Sequence, residues 1–493
     1  MAKQFVDTTI VAIATPIGNG GVGIIRISGG RAIEIVSKCF SNSQIIELEP
    51  RMATYGKFET PHFTDRVIAI YYPAPNSFTG EDVIEIHAHG GLFLLQKIVE
   101  HLVSLGATQA TAGEFSRRAF LNGKMTLDQA EAIIETISAE SEAHLAATGK
   151  IYQGKLRKKL FELEENLISC MARITASLDY PEHDTEADTV DSVDCCLRST
   201  KAELKSLIDT AYEGRIITGG IQIAVLGKPN VGKSSLFNSI LCRDRSIVTN
   251  AAGTTTDTIS EPILYKGMKL VFNDTAGIRC GRFVMPGLDV SDITIKEEIP
   301  TYEFRIKDVR DDISEVELIG IERTKKVVAD ADVVLAIFDG STPPDDEDEE
   351  ILKLTKGKET IFVLNKYDLM KNNKSEHYKK FFDKKAYVIK TSALTGENVE
   401  KIKEHVYTLT TEQIMLGKTP ASSDIVITNT RHLQELNNAY SSISGALTAL
   451  KIMTLDCIMI DVENALNSVG NITGTRATEA IVDEIFSRFC IGK

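Results

Sequence analysis

Gly227-Lys228-Pro229-Asn230-Val231-Gly232-Lys233-Ser234-Ser235 is the stretch that decides the fold of the middle of this chain. It matches the pattern GxxxxGK[ST]. It follows the apolar run Ile221 to Leu226 and precedes Leu236-Phe237-Asn238-Ser239-Ile240, so the text reads as buried strand, loop and helix start. Glycine lets the backbone curl until its N–H groups face phosphate oxygens. Lys233 is expected at the β- and γ-phosphates and the Ser234 hydroxyl on Mg²⁺, with Val231, Gly232 and Ser235 lining the same nucleotide.

Three further elements point to guanine as the base. Asn273-Asp274-Thr275-Ala276-Gly277 follows the apolar run Lys269 to Phe272. A DxxG at a strand end places Asp274 near Mg²⁺ and the Gly277 N–H near the γ-phosphate. Asn365-Lys366-Tyr367-Asp368 ends a second apolar strand as an NKxD element. The Asp368 carboxylate can accept from guanine N1 and N2; adenine lacks that donor pair and would leave the carboxylate unpaired. Ser392-Ala393-Leu394 resembles the loop whose backbone reads guanine O6. A lone DxxG is common by chance; four elements in this order, each at a strand end, imply a GTPase domain.

The 493 residues suggest about three domains. A net charge of −14 excludes gripping nucleic acid by bulk charge, so any RNA contact needs a local patch or a basic partner. No apolar run reaches about 18 residues, which argues against a membrane span. Met1 to Thr9 lacks a basic stretch followed by an apolar core, and no transit peptide is evident; a cytoplasmic protein is expected. The eight cysteines are scattered without a CxxC pair, as expected of a reduced chain without structural zinc.

The expected organisation is multidomain. Residues 1–123 read as an α+β domain, with strands at Thr9 to Thr15, Val22 to Ser28, Arg66 to Tyr72 and Val83 to Ala88 and a helix over Phe93 to Leu105. Residues 124–217 and 412–493 read as two parts of one all-α domain, with an acidic break from Tyr180 to Asp194. Between them, residues 218–411 read as an inserted α/β P-loop domain of Ras-like type. The acidic run Asp345 to Glu350 reads as a solvated loop or a helix start.

The layout and termini resemble the tRNA-modification GTPase family MnmE, also called TrmE, over nearly the whole chain. The residues that carry the resemblance are Asp7 to Ala12, Gly20 to Gly29, Asn76 to Asp82, Gly113 to Ser116, Arg118 to Lys124 and the closing Phe489-Cys490-Ile491-Gly492-Lys493. The resemblance implies installation of an aminomethyl or carboxymethylaminomethyl group on C5 of the wobble uridine (U34) of certain tRNAs. It implies a one-carbon unit from 5,10-methylene-tetrahydrofolate, a flavin-dependent partner (MnmG, also called GidA) joined in a heterotetramer, and homodimerisation through the N-terminal domain. It also implies GTP hydrolysis stimulated by K⁺ when two GTPase domains meet.

Carried onto this sequence, the resemblance makes Arg26, Glu85, Lys124 and Lys493 the folate contacts, for methylene- or 5-formyl-tetrahydrofolate. A carboxylate such as Glu85 suits the donor–acceptor edge of a pterin, and cations suit a glutamate tail. Read without the resemblance, Arg26 and Lys124 are as well explained as surface ion pairs. Cys490 also has two readings: the apolar end of an amphipathic helix with Ile481, Ile485, Phe486 and Phe489, or a thiol two residues before a flexible glycine, able to reach the folate pocket as part of the catalytic set.

Many GTPases carry a Gln after the DxxG glycine to orient the attacking water; here that position is Ile278. The resemblance transfers that role to Glu317. Asn230 is expected to ligate K⁺ beside the β–γ bridge, where a cation acts much as an arginine finger does; a plain turn residue is the alternative. Thr249, Ala251 and Thr254 would complete the cation shell, Thr255 would bind Mg²⁺, and Asn250, Ala252 and Gly253 share that switch segment. The sequence departs from the family at Thr256, where Arg is usual, and in an insert, residues 280–310, that lies before Glu317. A different class of reading is an assembly or signalling GTPase, for example in ribosome maturation, without one-carbon chemistry. Folate binding separates the two.

Overall fold

The computed structural model describes residues 8–41, 49–179, 186–243, 260–274, 324–370, 378, 381–382, 386–416, 425–452 and 454–492. They form two compact units. One comprises Met1–Ala139, His144–Ala211 and Ser423–Lys493; the other comprises Glu140–Ala143 and Tyr212–Ser422.

In the first unit, β1 (Ile10–Ile13), β2 (Gly20–Ser28), β3 (Ala53–Glu59), β4 (Thr64–Tyr72), β5 (Val83–Gly90) and β6 (Thr108–Gln109) form one sheet in the order β3-β4-β5-β2-β1-β6. Only β1 and β6 pair in parallel. Alternation of side chains sends Ile25, Ile27, Ile84 and Ile86 to one face, where helix Leu92–Ser104 covers them with Leu95, Ile98 and Leu102. The opposite face keeps Arg26 and Glu85, which are directly paired across the strands.

The rest of this unit is helical. Leu156, Leu160, Leu163, Leu167, Cys170 and Ile174 recur at four- and three-residue steps along helix Lys155–Asp179 and are all buried. That helix bundles with Glu186–Asp209, Thr430–Ala449 and Leu455–Thr473 around a shared apolar core. Truncating one of its buried leucines to Ala should cost about 2–5 kcal/mol. The break expected over Tyr180 to Asp194 is shorter than the composition suggested: helix starts by Glu186. Acidic residues favour a helix N-terminus, and Val193 and Leu197 already bury into the core at helical spacing. The two sequence segments of the bundle are also tied by charge. Glu131 on helix Leu127–Ser138 accepts from Arg431 Nε at 2.8 Å and meets His432 Nε2 at 2.7 Å. Burial raises the Glu131 pKa, but His432 and Arg431 override it and hold it down to about 2.

The second unit is doubly wound. β7 (Ile221–Leu226), β8 (Ser260–Tyr265), β9 (Met268–Asp274), β10 (Val333–Asp339), β11 (Thr360–Asn365) and β12 (Tyr387–Lys390) lie in the order β12-β11-β10-β7-β9-β8. All pairs are parallel except β8 with β9. The near-continuous apolar strands, such as Val-Val-Leu-Ala-Ile-Phe in β10, are what burial on both faces requires. From β7 the chain winds to β9 on one side and later to β10 on the other, so the carboxyl end of β7 is the topological switch point where ligands bind in such sheets.

Candidate functional site

The loop Gly227 to Gly232 leaves β7 at that switch point and runs directly into helix Lys233–Arg243. Asn230 takes a left-handed φ of +64° at the loop tip, with its side chain exposed. Gly232 has φ +93°, and a Cβ there would lie 2.4 Å from Asn365 Nδ2, so the pattern's second glycine is required by close approach as well as by backbone angle. Lys233 donates to the carbonyls of Gly227 at 2.7 Å and Lys228 at 2.9 Å, which holds its ammonium inside the loop. Val231 is buried, whereas Ser234 and Ser235 are exposed in the helix's first turn, where unpaired N–H groups and the helix dipole favour an anion.

The guanine elements converge on the same sheet edge. Asn365, 1% exposed, donates to the Val231 carbonyl at 2.9 Å and accepts from the Ala393 N–H at 3.0 Å. It is thus the strut joining the phosphate loop, the NKxD turn and the Ser392 loop. Lys366 has φ +61° and donates to Asp339 at the end of β10, at 2.6 Å. Burial works against the charged Asp339, but hydrogen bonds from Lys366 and Ser341 outweigh it and keep its pKa below the usual carboxylate range. Ser392 donates to Asp368 Oδ1 at 2.6 Å, orienting a carboxylate that is otherwise exposed. Tyr367 and Leu394 are exposed beside it, Leu394 by 86%, leaving an open apolar and acidic surface of the kind a planar base covers.

Asp274 closes β9, beside Val225 of β7; its side chain lies outside the described residues. So do Thr249, Asn250, Ala251, Ala252, Gly253, Thr254, Thr255, Thr275, Ala276, Gly277, Glu317, Lys493 and the insert 280–310. Among the described residues no group of three or more His, Cys, Asp and Glu could hold a metal ion, and no helix is long and apolar enough to cross a membrane.

The acidic run at Asp345 is a helix start: Asp345 caps helix Asp346–Leu354 in a reciprocal box with Asp348. It is not simply solvated. Asp348 is 1% exposed, and Lys228 of the phosphate loop reaches both carboxylates, at 2.6 Å for Asp345 and 2.9 Å for Asp348. A charge run usually marks a solvated face, so only the partner in the loop reveals this role.

A second constellation forms on the N-terminal sheet. Arg26 pairs with Glu85 through Nε at 2.9 Å and Nη2 at 2.8 Å. Its guanidinium lies 5.2 Å from the Phe78 ring centroid and 5.8 Å from that of Phe115. The ion-pair reading of Arg26 is the contact the structure shows, with Glu85 as the partner. His87 joins the face with Nε2 at 3.6 Å from Glu85; the alternation Glu85-Ile86-His87 was the available signal for it. The loop bearing Phe78 is held from beneath by Arg118, 2% exposed, which donates to the Thr8 carbonyl, Glu81 and Glu114, while Ser28 donates to Glu81 at 2.7 Å. Lys124 is exposed, with its stem against Gly80 of the same loop.

The C-terminal residues close on this domain. Val482, Ile485, Phe486 and Phe489 bury against Leu127 and Ala130, but the stripe does not extend to Cys490, which lies past the helix end at Ser487. Ile491 bridges Ala112, and Gly492, φ +96°, lies so near the Ile13 carbonyl that a Cβ would come within 2.1 Å of it. Cys490 is exposed two residues before that contact, on the chain alongside β1, the strand that pairs with that of Arg26.

Two family models match the chain: the MnmE helical domain over residues 127–490 and the GTP-binding protein TrmE N-terminus over residues 9–124. The tRNA modification GTPase MnmE of Clostridioides difficile is 39% identical, covering 99% of this chain and 100% of that one. Its namesake in Thermotoga maritima is 38% identical, covering 98% and 100%. Among solved structures, the G domain of the T. maritima FeoB iron transporter covers 38% of this chain and 98% of that one, at 23% identity and a TM-score of 0.25. With one match spanning most of its length and relatives of this identity matched end to end, the chain belongs to the MnmE (TrmE) family of tRNA modification GTPases.

Proposed function

We propose that this chain couples GTP hydrolysis to addition of an aminomethyl or carboxymethylaminomethyl group at C5 of the wobble uridine of tRNA, with the carbon drawn from a tetrahydrofolate. The chain is a tRNA modification GTPase, and GTP is its substrate. The observation that carries the finer reading is family membership along the whole chain, with a phosphate loop and a cross-strand Arg26–Glu85 pair both present in it.

In the nucleotide site, Lys233 exchanges the carbonyls of Gly227 and Lys228 for the β- and γ-phosphate oxygens. Asp368, aimed by Ser392, accepts from guanine. The exposed Asn230 oxygen suits K⁺, and the Ser234 hydroxyl at the helix start suits Mg²⁺. When bound, the two cations supply positive charge against the phosphate oxygens. Glu317 is the residue we assign to the attacking water, with Thr249, Ala251 and Thr254 in the K⁺ shell and Thr255 on Mg²⁺.

In the N-terminal site, Glu85 accepts from a pterin edge, while Arg26, packed against the Phe78 and Phe115 rings, fixes the carboxylate. Lys124 and Lys493 take the glutamate tail, and Cys490, one residue before the bridge of Ile491 to Ala112, is assigned to the same site. A homodimer, a flavin-dependent MnmG partner and a cytoplasmic setting complete the reading. No feature of the described surface favours the ribosome-assembly alternative.

The test is steady-state GTP hydrolysis by the purified chain in K⁺ against Na⁺ buffer, with calorimetric titration of 5-formyl-tetrahydrofolate. Turnover that rises in K⁺, together with saturable folate binding, supports the proposal. Turnover indifferent to the cation overturns the role of Asn230. No folate binding overturns the one-carbon reading.

A further inference from the structure

We propose that Lys228 is a positioning residue for GTP turnover, acting through its ion pair with Asp345 and Asp348 to fix the entry of the phosphate loop. The inference rests on GTP binding at that loop. The Lys228 ammonium sits between the two carboxylates of a helix cap, at 2.6 Å and 2.9 Å. Its own carbonyl accepts from Lys233 at 2.9 Å. One residue therefore links the helix cap, through its side chain, to the lysine that must reach phosphate, through its backbone.

The pair is not a surface decoration. Exposed ion pairs contribute little because water and entropy cancel them. Here Lys228 is 15% exposed and Asp348 only 1%. The second Asp348 oxygen has no hydrogen-bond partner, so removing Lys228 would strand a buried charge. Burial disfavours the charged lysine, yet the two aspartates outweigh it and raise its pKa.

The same segment serves the other end of the nucleotide. Asp339, at its start, receives Lys366 of the guanine turn at 2.6 Å, and the Gly340 N–H donates to the Asn365 carbonyl at 2.9 Å. Residues 339–348 thus hold the phosphate loop by Lys228 and the base turn by Lys366. Nothing in the GxxxxGK[ST] or NKxD patterns specifies this segment.

The experiment measures affinities of the full chain for fluorescent GTP, GDP and GMP, with KM and kcat for GTP. The variants are Lys228→Met, Lys228→Arg, Asp348→Asn and the double variant, all assayed well below their melting temperatures. Positioning predicts that Lys228→Met weakens GTP and GDP roughly tenfold while GMP, which lacks the β-phosphate, changes less than about twofold. KM should carry most of the loss, Lys228→Arg should restore it, and the double variant should be no worse than Lys228→Met alone. Should Asp348→Asn fail to fold, the more exposed Asp345→Asn takes its place. Unchanged GTP affinity in Lys228→Met, an equal loss for GMP, or additive losses in the double variant would each overturn the proposal. Failure of the unmodified chain to bind GTP would instead overturn the nucleotide reading itself.

Discussion

The nucleotide loop and the Arg26 face solve the problem of positioning in opposite ways. The loop between β7 and its helix is contiguous in sequence and shaped by backbone angles, with Asn230 at +64° and Gly232 at +93°. Its reactive side chains are left exposed or rest on nearby carbonyls, ready to change partner. The Arg26 face is assembled from residues far apart in the chain, and its side chains are already committed to one another: Arg26 to Glu85, and Arg118 to Glu81 and Glu114. A site that must bind, hydrolyse and release needs side chains that can be exchanged. For the folate role proposed for the Arg26 face, side chains fixed in advance would lower the cost of holding a rigid ring.

That contrast can be broken or sharpened by substitution. Lys233→Ala should have the largest effect, reducing GTP turnover by about 10³-fold or more, since the loop's other lysine, Lys228, is held by Asp345 and Asp348. Turnover assays that retain more than a tenth of the activity would show the loop's geometry to be sufficient alone. Arg118→Met should destabilise the N-terminal domain by about 3–5 kcal/mol in denaturant melts, because it leaves Glu81 and Glu114 without their buried partner. GTP turnover measured in the still-folded variant should hardly change.

Glu131 gives a pH-dependent comparison in the helical bundle. Its folded pKa, about 2, lies below the ordinary value of 4.5, so its contribution is present above pH 4.5 and is lost as pH falls towards 2. It should amount to about 3 kcal/mol. Thermal melts of Glu131→Gln against the unmodified chain should differ at pH 6 and converge near pH 2; a difference independent of pH would assign the effect to packing.

Asn365→Ala removes both struts between the loops and should weaken GTP by about 2 kcal/mol, read as a rise in the dissociation constant, with GMP weakened too. Arg26→Met should have the smallest effect, lowering 5-formyl-tetrahydrofolate affinity about tenfold in calorimetry and leaving GTP binding alone. A matching loss of GTP affinity would contradict the independence of the two sites.

The two sites also differ in how far they could be read from the sequence. Periodicity and strand-end motifs were enough for the phosphate loop, since a loop flanked by a strand and a helix carries its own context. What Asn365 and Lys366 do was not legible: NKxD marks them as part of a base site, but their partners lie elsewhere in the chain, Val231 in the phosphate loop, Ala393 in the loop after β12 and Asp339 at the end of β10. Asp345 to Glu350 shows the same limit, because solubility and a buried counter-charge select the same residues. On the N-terminal sheet, alternation predicts that residues 26 and 85 each face away from the core, but only strand register makes them a pair. There the family resemblance, not periodicity, pointed to Arg26 and Glu85. Composition extends the break from Tyr180 to Asp194, past the helix start at Glu186, because a helix's acidic first turns resemble a loop in composition.

The most direct test of the account is nucleoside mass spectrometry of tRNA from bacterial cells lacking their own member of this family and supplied with this chain. The account predicts that C5-modified wobble uridine returns with the unmodified chain and not with Lys233→Ala. Absence of the modification in cells whose supplied chain is folded, abundant and turning over GTP would contradict it.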